Sequence, residues 1–77
     1  MNNNLKFVWD FYGADSEKTA NHSLNHIQEF LVKSEINIDI YGVEKVSENH
    51  YYSFIVLNIK HLEFIKKKLK PSRGFKC

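Results

Sequence analysis

Two histidines, His22 and His26, stand four residues apart in the sequence. On a helix, side chains at positions i and i+4 are neighbours, and two imidazoles so placed can grip one metal ion. A catalytic metal site also needs a third ligand and a sheltered cavity, and nothing in the sequence brings His50 or His61 to this pair. We therefore interpret the pair as part of a solvated polar face and predict neither a metal ion nor a cofactor.

A second group of polar residues meets at one end of the predicted fold, where the first helix begins. Its free backbone amides favour an anion, because a helix start carries partial positive charge. The candidate anion site comprises Ser16, Asn49, His50 and Arg73. The competing interpretation is that Asp15 caps those amides and that Arg73 pairs with Glu48 or Asp15, and we favour it.

Catalytic constellations are weak in this sequence. Asp10, Tyr12 and His50 have the side chains of an acid–base group, but comparable triples occur in most chains of this length. The sequence contains no Gly-x-Ser-x-Gly, no P-loop and no glycine-rich dinucleotide turn. Its one cysteine, Cys77, can form no disulfide within the chain, and no ordered base is predicted beside it. We predict that the protein is not an enzyme.

Positive charge is concentrated at the end of the chain. Residues 1–59 carry four basic side chains against eight acidic ones, whereas residues 60–77 carry seven against one. Phe64 lies among these lysines, and an aromatic ring can stack a base while ammonium groups contact phosphate. The candidate nucleic-acid surface comprises Lys60, Phe64, Lys67, Lys68 and Arg73. Phe64 can equally pack against Phe75 or another subunit, and no Lys/Arg-Gly-Phe run of the RNA-recognition type is present.

These side chains are positioned by five elements that the apolar spacing predicts. Residues 5–12 alternate as a strand, and a helix follows from Asp15 or Ser16 to about Ser34. Its apolar stripe comprises Ala20, Leu24, Ile27 and Leu31. Strands are predicted at 36–46, with a bulge at Gly42, and at 50–57.

The second helix is predicted over about 59–70, with Asn58 as its cap and Pro71 as its stop. Its core stripe comprises Leu62, Ile65 and Leu69. Residues 1–4 are predicted to be disordered, and 72–77 to form a basic tail.

The order β-α-β-β-α predicts a single α+β domain over 1–77. We expect a ferredoxin-like split β-α-β that lacks the last strand, with both helices on one face of a three-stranded sheet. Strand three would lie between strands one and two; an adjacent parallel β-α-β is the alternative.

In this arrangement the opposite sheet face would be apolar and uncovered, as protein interfaces are. The candidate interface comprises Val8, Tyr12, Tyr41, Val43, Tyr51, Ile55 and Leu57. Our leading hypothesis is a non-enzymatic interaction module that forms a homodimer through this face or a sheet edge. The alternatives are a nucleic-acid-binding protein that uses the second helix and tail, and an enzyme or metal-binding protein that uses the histidines or the upper loops. No apolar run is long enough for a membrane span, and the cytoplasm is the expected compartment.

Overall fold

In the computed structural model, which describes residues 3–76, four strands form one antiparallel sheet and two α-helices accompany it. The elements are β1 (Asn4–Tyr12), α1 (Ser16–Lys33), β2 (Ile40–Ser47), β3 (His50–Asn58), a 3-10 turn (Ile59–His61), α2 (Leu62–Lys68) and β4 (Arg73–Lys76). The strand order is β2-β3-β1-β4, with every neighbouring pair antiparallel. The chain is thus a small α+β domain, and β3 lies between β1 and β2 as predicted.

The prediction of a three-stranded sheet is wrong, because most of the predicted basic tail forms β4. This strand pairs with β1 from Leu5↔Lys76 to Val8↔Arg73. Just before it, the Ser72 amide donates to the Val8 carbonyl oxygen at 2.8 Å. A short strand of this kind has little local signal, since its hydrogen bonds come from a partner about seventy residues away.

The start of the chain is also more ordered than predicted. Asn4 begins β1, and the carbonyl oxygen of Asn3 accepts a hydrogen bond from the Ile59 amide at 2.7 Å. Two of the four residues predicted to be disordered thus have a place in the fold, while Met1 and Asn2, like Cys77, lie outside the described residues.

Both helices pack against the same face of the sheet. The core on that side comprises Leu5, Phe7 and Trp9 of β1, Leu24, Ile27 and Leu31 of α1, Ile55 and Leu57 of β3, and Ile65 of α2. The Trp9 indole N–H also donates to the Leu69 carbonyl oxygen at 2.8 Å, which ties β1 to the end of α2. The predicted stripes of both helices are confirmed, and no helix among the described residues is long and apolar enough to cross a membrane.

The predicted facing of β3 is wrong by one residue. Ile55 is 0% exposed and lies under the helices, as does Ser53, which pairs with Trp9 in the register. A small side chain beside the large indole leaves room for it in the helix-covered layer. Of the seven predicted interface residues, the five on this covered face are Tyr41, Val43, Tyr51, Ile55 and Leu57, and only Val8 and Tyr12 lie on the other face.

Two local predictions in β2 also need correction. The strand begins at Ile40 rather than at Ile36, and the preceding isoleucines reach the core from the connection after α1. Gly42 pairs regularly with Phe54, so the irregularity in the ladder falls instead between Lys45 and Ser47. A Cβ at position 42 would come within 3.2 Å of the Phe54 ring, which explains why glycine suits this position.

The second helix is shorter than predicted, although its start is confirmed. The Asn58 side chain accepts a hydrogen bond from the Lys60 amide at 2.9 Å. The first three residues then form the 3-10 turn, and the α-helix covers Leu62–Lys68, three residues before Pro71.

Candidate functional site on the open face of the sheet

The side of the sheet turned away from the helices, called the open face from here on, presents a mixture of aromatic and charged residues. Its central members are Lys6, Val8, Asp10 and Tyr12 of β1, His50, Tyr52, Phe54 and Val56 of β3, and Arg73 and Phe75 of β4. The register places them together, because residues paired across strands point to the same side. Val8 is only 1% exposed, although no helix covers this side of the sheet. The larger open-face side chains around Val8 must therefore cover it.

Cationic groups lie against the aromatic rings of this face. The Lys6 Nζ atom is 5.1 Å from the ring centroid of Tyr52 and 4.5 Å from that of Phe54. The Arg73 guanidinium carbon is 5.7 Å from the Tyr52 centroid and 5.3 Å from that of Phe75. These separations allow cation–π attraction. The rings and cations involved belong to the three neighbouring strands β3, β1 and β4.

At one end of the open face, a single carboxylate joins β1, β3 and β4. Asp10 accepts hydrogen bonds from Arg73 through Nε to Oδ2 and Nη2 to Oδ1, both at 2.8 Å. The His50 Nε2 atom lies 2.7 Å from the same Oδ1 atom. The Asp10 side chain is 7% exposed, and its backbone N–H donates to the Ser72 hydroxyl at 3.2 Å. Side chains as distant in sequence as residues 10, 50 and 73 thus form one polar cluster.

The charge state of this cluster follows from its geometry. Burial acts to raise the pKa of the Asp10 carboxyl, but hydrogen bonds from His50 and Arg73 and their positive charges outweigh it and hold that pKa below its ordinary value. An ionised carboxylate can only accept hydrogen bonds, so His50 must carry a proton on Nε2. The carboxylate therefore fixes the orientation of the His50 ring and keeps a proton on its Nε2 atom.

Tyr12 completes this end of the face, since its ring stacks on the His50 imidazole with a centroid distance of 4.3 Å. The structure therefore brings together Asp10, Tyr12 and His50, which the sequence offers only as one triple among many. Both oxygens of the carboxylate have partners, so Asp10 orients His50 and Arg73 rather than acting as a base itself.

The structure brings only two of the four predicted anion-binding residues together. His50 and Arg73 do meet, but around the Asp10 carboxylate, so an external anion would compete with a carboxylate of the chain. The Ser16 side chain is buried, and the Asn49 carbonyl oxygen accepts a hydrogen bond from the Gly13 amide at 2.8 Å. The competing interpretation is right that Arg73 has an acidic partner, although it names Asp15 or Glu48 where the structure has Asp10. Its other part is wrong, because Asp15 stands at the N-cap position of α1 but its side chain makes no capping hydrogen bond.

The predicted nucleic-acid residues do not form one surface. Phe64 is half-buried and stacks on Phe30 of α1 with a centroid distance of 5.7 Å, so its ring is engaged within the core layer. Lys67 and Lys68 are exposed at the end of α2, and Arg73 lies on the open face. The sequence missed Lys6, Tyr52, Phe54 and Phe75 as a group; the signal available was the i, i+2 spacing of Tyr52 and Phe54.

Comparisons of the chain with protein-family models, with curated proteins and with solved structures find no significant match. Its function must therefore be inferred from the chemistry of the open face. That chemistry combines flat apolar rings with positively charged groups, a combination that suits ligands made of aromatic rings joined by negative charges.

Proposed function

We propose that this protein binds single-stranded nucleic acid on the open face of its sheet. One observation carries the proposal. Tyr52 and Phe54 lie at alternate positions of the central strand β3, and Lys6 lies within cation–π distance of both rings. Aromatic rings on a sheet stack bases irrespective of sequence, while neighbouring cations contact the phosphates between them.

The architecture supports this use of the face. We propose that the domain is ferredoxin-like: the order β-α-β-β-α-β, an antiparallel sheet ordered β2-β3-β1-β4 and two helices on one side all favour that fold. RNA-recognition domains use such four-stranded sheets, with aromatic residues on central strands that stack two or three bases. The likeness to RNA-recognition domains is an analogy of fold. The functional inference comes from the aromatic residues of the open face.

The positions of the positive charges favour a path for the nucleic-acid strand across the open face. Lys6 lies near its middle and Arg73 at the Asp10 end. At the opposite end, Lys60 lines a shallow pocket with the open-face residues Asn4 and Val56 and with the acidic Asp39. Lys6 and Lys60 can contact phosphates directly, whereas Arg73 would have to share or exchange its contact with Asp10. Each contact would release counterions from the nucleic acid.

The proposal is tested by titrating labelled oligouridine and mixed single-stranded DNA with the protein at 50 to 200 mM salt. Two or three phosphate contacts predict a log–log slope of affinity against salt of about −1.4 to −2. Phe54→Ala should weaken binding by about 1–3 kcal/mol, because a stacked base loses its platform. Tyr41→Ala is the matched control, since Tyr41 is an exposed ring on the neighbouring strand that faces the other way.

A second pair of variants separates the open face from the surface expected on sequence grounds. Lys6→Gln should flatten the salt slope, whereas Lys67→Gln combined with Lys68→Gln should change it little. The reverse result would assign binding to α2 and its lysines. Undetectable binding at 50 mM salt, where electrostatic attraction is strong, would rule out the proposal for either surface.

Self-association remains our second candidate function, and a specific observation favours it. Tyr12 is 73% exposed on the open face, and Ile40 on the edge strand β2 and Phe75 on the opposite edge strand β4 are also exposed. An exposed apolar surface of this kind suits a two-fold interface between copies. Light scattering at micromolar concentration should then give twice the monomer mass, and Ile40→Asp should restore the monomer by placing an unpaired charge in the contact. A monomer throughout that range excludes this candidate.

An enzymatic role is not part of our proposal, because the side-chain hydrogen bond of His50 among the described residues goes to Asp10 and not to a hydroxyl or thiol that it could activate. We propose the cytoplasm as the compartment, which suits a chain whose one cysteine cannot form an internal disulfide.

A further inference from the structure

The middle of α1 presents a pair of imidazoles on its solvent-exposed side. The Nε2 atoms of His22 and His26 face each other at 3.0 Å, and the two rings meet edge to face with centroids 4.5 Å apart. The two histidines are one helical turn apart, so their rings lie on the same side of α1. The apolar stripe on the other side of α1 packs against the sheet and keeps the helix in place. At this separation one nitrogen can donate a hydrogen bond to the other, so a metal ion bound here would replace the proton that they share.

The ligand type of the pair favours copper among the divalent first-row metals. Sites made of nitrogen ligands generally bind Cu(II) more tightly than Zn(II). Nitrogen and oxygen ligands in a square-planar or tetragonal arrangement are typical of Cu(II), and two neighbouring imidazoles with water can supply them. Zinc sites, by contrast, usually have three or four protein ligands.

The carboxylate of Glu29 lies near the ring of His26. The Glu29 Oε1 atom lies 3.8 Å from Nδ1 of His26, on the side of the ring away from His22. Histidines that bind metals commonly face a carboxylate with their other nitrogen, which keeps the proton there and leaves the ligating nitrogen free. At 3.8 Å this contact is an ion pair rather than a hydrogen bond, so Glu29 would strengthen the site by bringing its negative charge near the metal.

The sequence alone favoured an ordinary polar face here, but the contact between the two rings leads us to propose that His22 and His26 form a binding site for Cu(II), with water in the remaining coordination positions. Residues 3–76 contain no group of three or more His, Cys, Asp or Glu side chains placed to hold a metal ion. The site is therefore a two-imidazole chelate that is open to a further ligand from solvent. It lies on α1 and not on the open face, so it is independent of the proposed nucleic-acid binding.

The test is calorimetric titration of the full chain with CuCl₂ and with ZnCl₂, in a Cys77→Ser background that removes a soft thiolate ligand. We expect one copper per chain, bound more tightly than zinc. His22→Gln and His26→Gln should each weaken copper binding at least tenfold, since either leaves only one imidazole. Glu29→Gln should weaken it by a smaller factor, up to about tenfold. His61→Gln is the matched control and should bind copper like the parent.

Electron paramagnetic resonance of the copper-loaded protein provides a second readout. An axial signal split by two nitrogen ligands, reduced to one nitrogen in His22→Gln, would support the site. Copper affinity that survives both histidine substitutions, or zinc bound as tightly as copper, would overturn the proposal. Glutamine is a good helix former, so the exposed substitutions should leave α1 intact and each result interpretable.

Discussion

The two faces of the sheet bury their central residues by different means. Ile55 on the helix-covered face lies beneath α1 and α2 within an aliphatic and aromatic core. Val8 on the open face is almost equally buried, yet the side chains that surround it there are aromatic rings and cations from the sheet itself. The first kind of burial uses a separate layer of secondary structure, whereas the second uses long side chains lying across their own strands.

This difference indicates what each face is for. A helix layer cannot be displaced without unfolding the domain, so the covered face is committed to stability. The Lys6 side chain over the Tyr52 and Phe54 rings can rearrange at little cost, because each cation–π contact is weak, whereas Arg73 is held more firmly by Asp10. Our proposal for the open face follows from this: a ligand bound there would replace contacts that the protein makes with itself.

The largest effect expected from this comparison is on the covered face. Trp9→Ala should lower the free energy of unfolding by about 3–5 kcal/mol, because it opens a cavity beneath the helices. It also leaves the Leu69 carbonyl oxygen without its indole donor. Urea denaturation followed by circular dichroism measures the loss, with Tyr52→Ala as the open-face counterpart. Equal losses for the two variants would show that the faces do not differ in the way described.

An intermediate effect is expected at the polar cluster of the open face. Asp10→Asn should lower the free energy of unfolding at pH 7 by about 1.5–3 kcal/mol, because it replaces hydrogen bonds between charged groups. Arg73 is partly exposed, so the lower end of that range is expected. Chemical denaturation at fixed pH measures the difference between the variant and the parent.

The same variant should also change the dependence of stability on pH. The native pKa of Asp10 lies below its unfolded value of about 3.9, so between the two values the unfolded chain binds more protons. The contribution of the ionised carboxylate is therefore complete above about pH 5 and is lost as the pH falls through the native pKa. The stability gap between parent and Asp10→Asn should narrow from pH 7 to pH 3. A gap that stays constant would mean that the charge of Asp10 contributes nothing.

The smallest effect is expected at the rim of the open face. Tyr12→Ala should change the free energy of unfolding by about 0.5 kcal/mol, because the ring is mostly exposed and gains only its stacking on His50. Thermal unfolding, compared with the Trp9→Ala protein, provides the scale. A loss as large as that of Trp9→Ala would place Tyr12 in a buried structure that the open face does not have in the monomer.

Periodicity predicted the elements well where one pattern dominated. The strict alternation of Phe7, Trp9 and Phe11 in β1 indicated the correct inward face, and the four-residue stripe of α1 indicated the correct helix face. In β3 both sets of alternate residues are largely apolar or aromatic, so periodicity alone does not choose between them. Ser53 lies opposite Trp9 on the covered face, a pairing that becomes visible only once the register of β1 and β3 is known.

The candidate site was the least predictable part because it is made of distant contacts. The pairing of Asp10 with Arg73 spans sixty-three residues, and it exists only because β4 lies beside β1. No local pattern marks Arg73–Lys76 as a strand, because this segment becomes a strand only through its pairing with β1. The aromatic residues of β3 were visible in the sequence, but their common face depended on the register with β1.

The position of β1 between β3 and β4 has a consequence for how the chain folds during synthesis. The strand made first receives its neighbours last, from segments that begin at His50 and Arg73. Until those segments leave the ribosome, a nascent chain carries an aromatic-rich strand with both edges unpaired, which favours association with other chains. Completion of the sheet requires loops of tens of residues to close, so β1 should gain its full protection against hydrogen exchange only in the final step of folding.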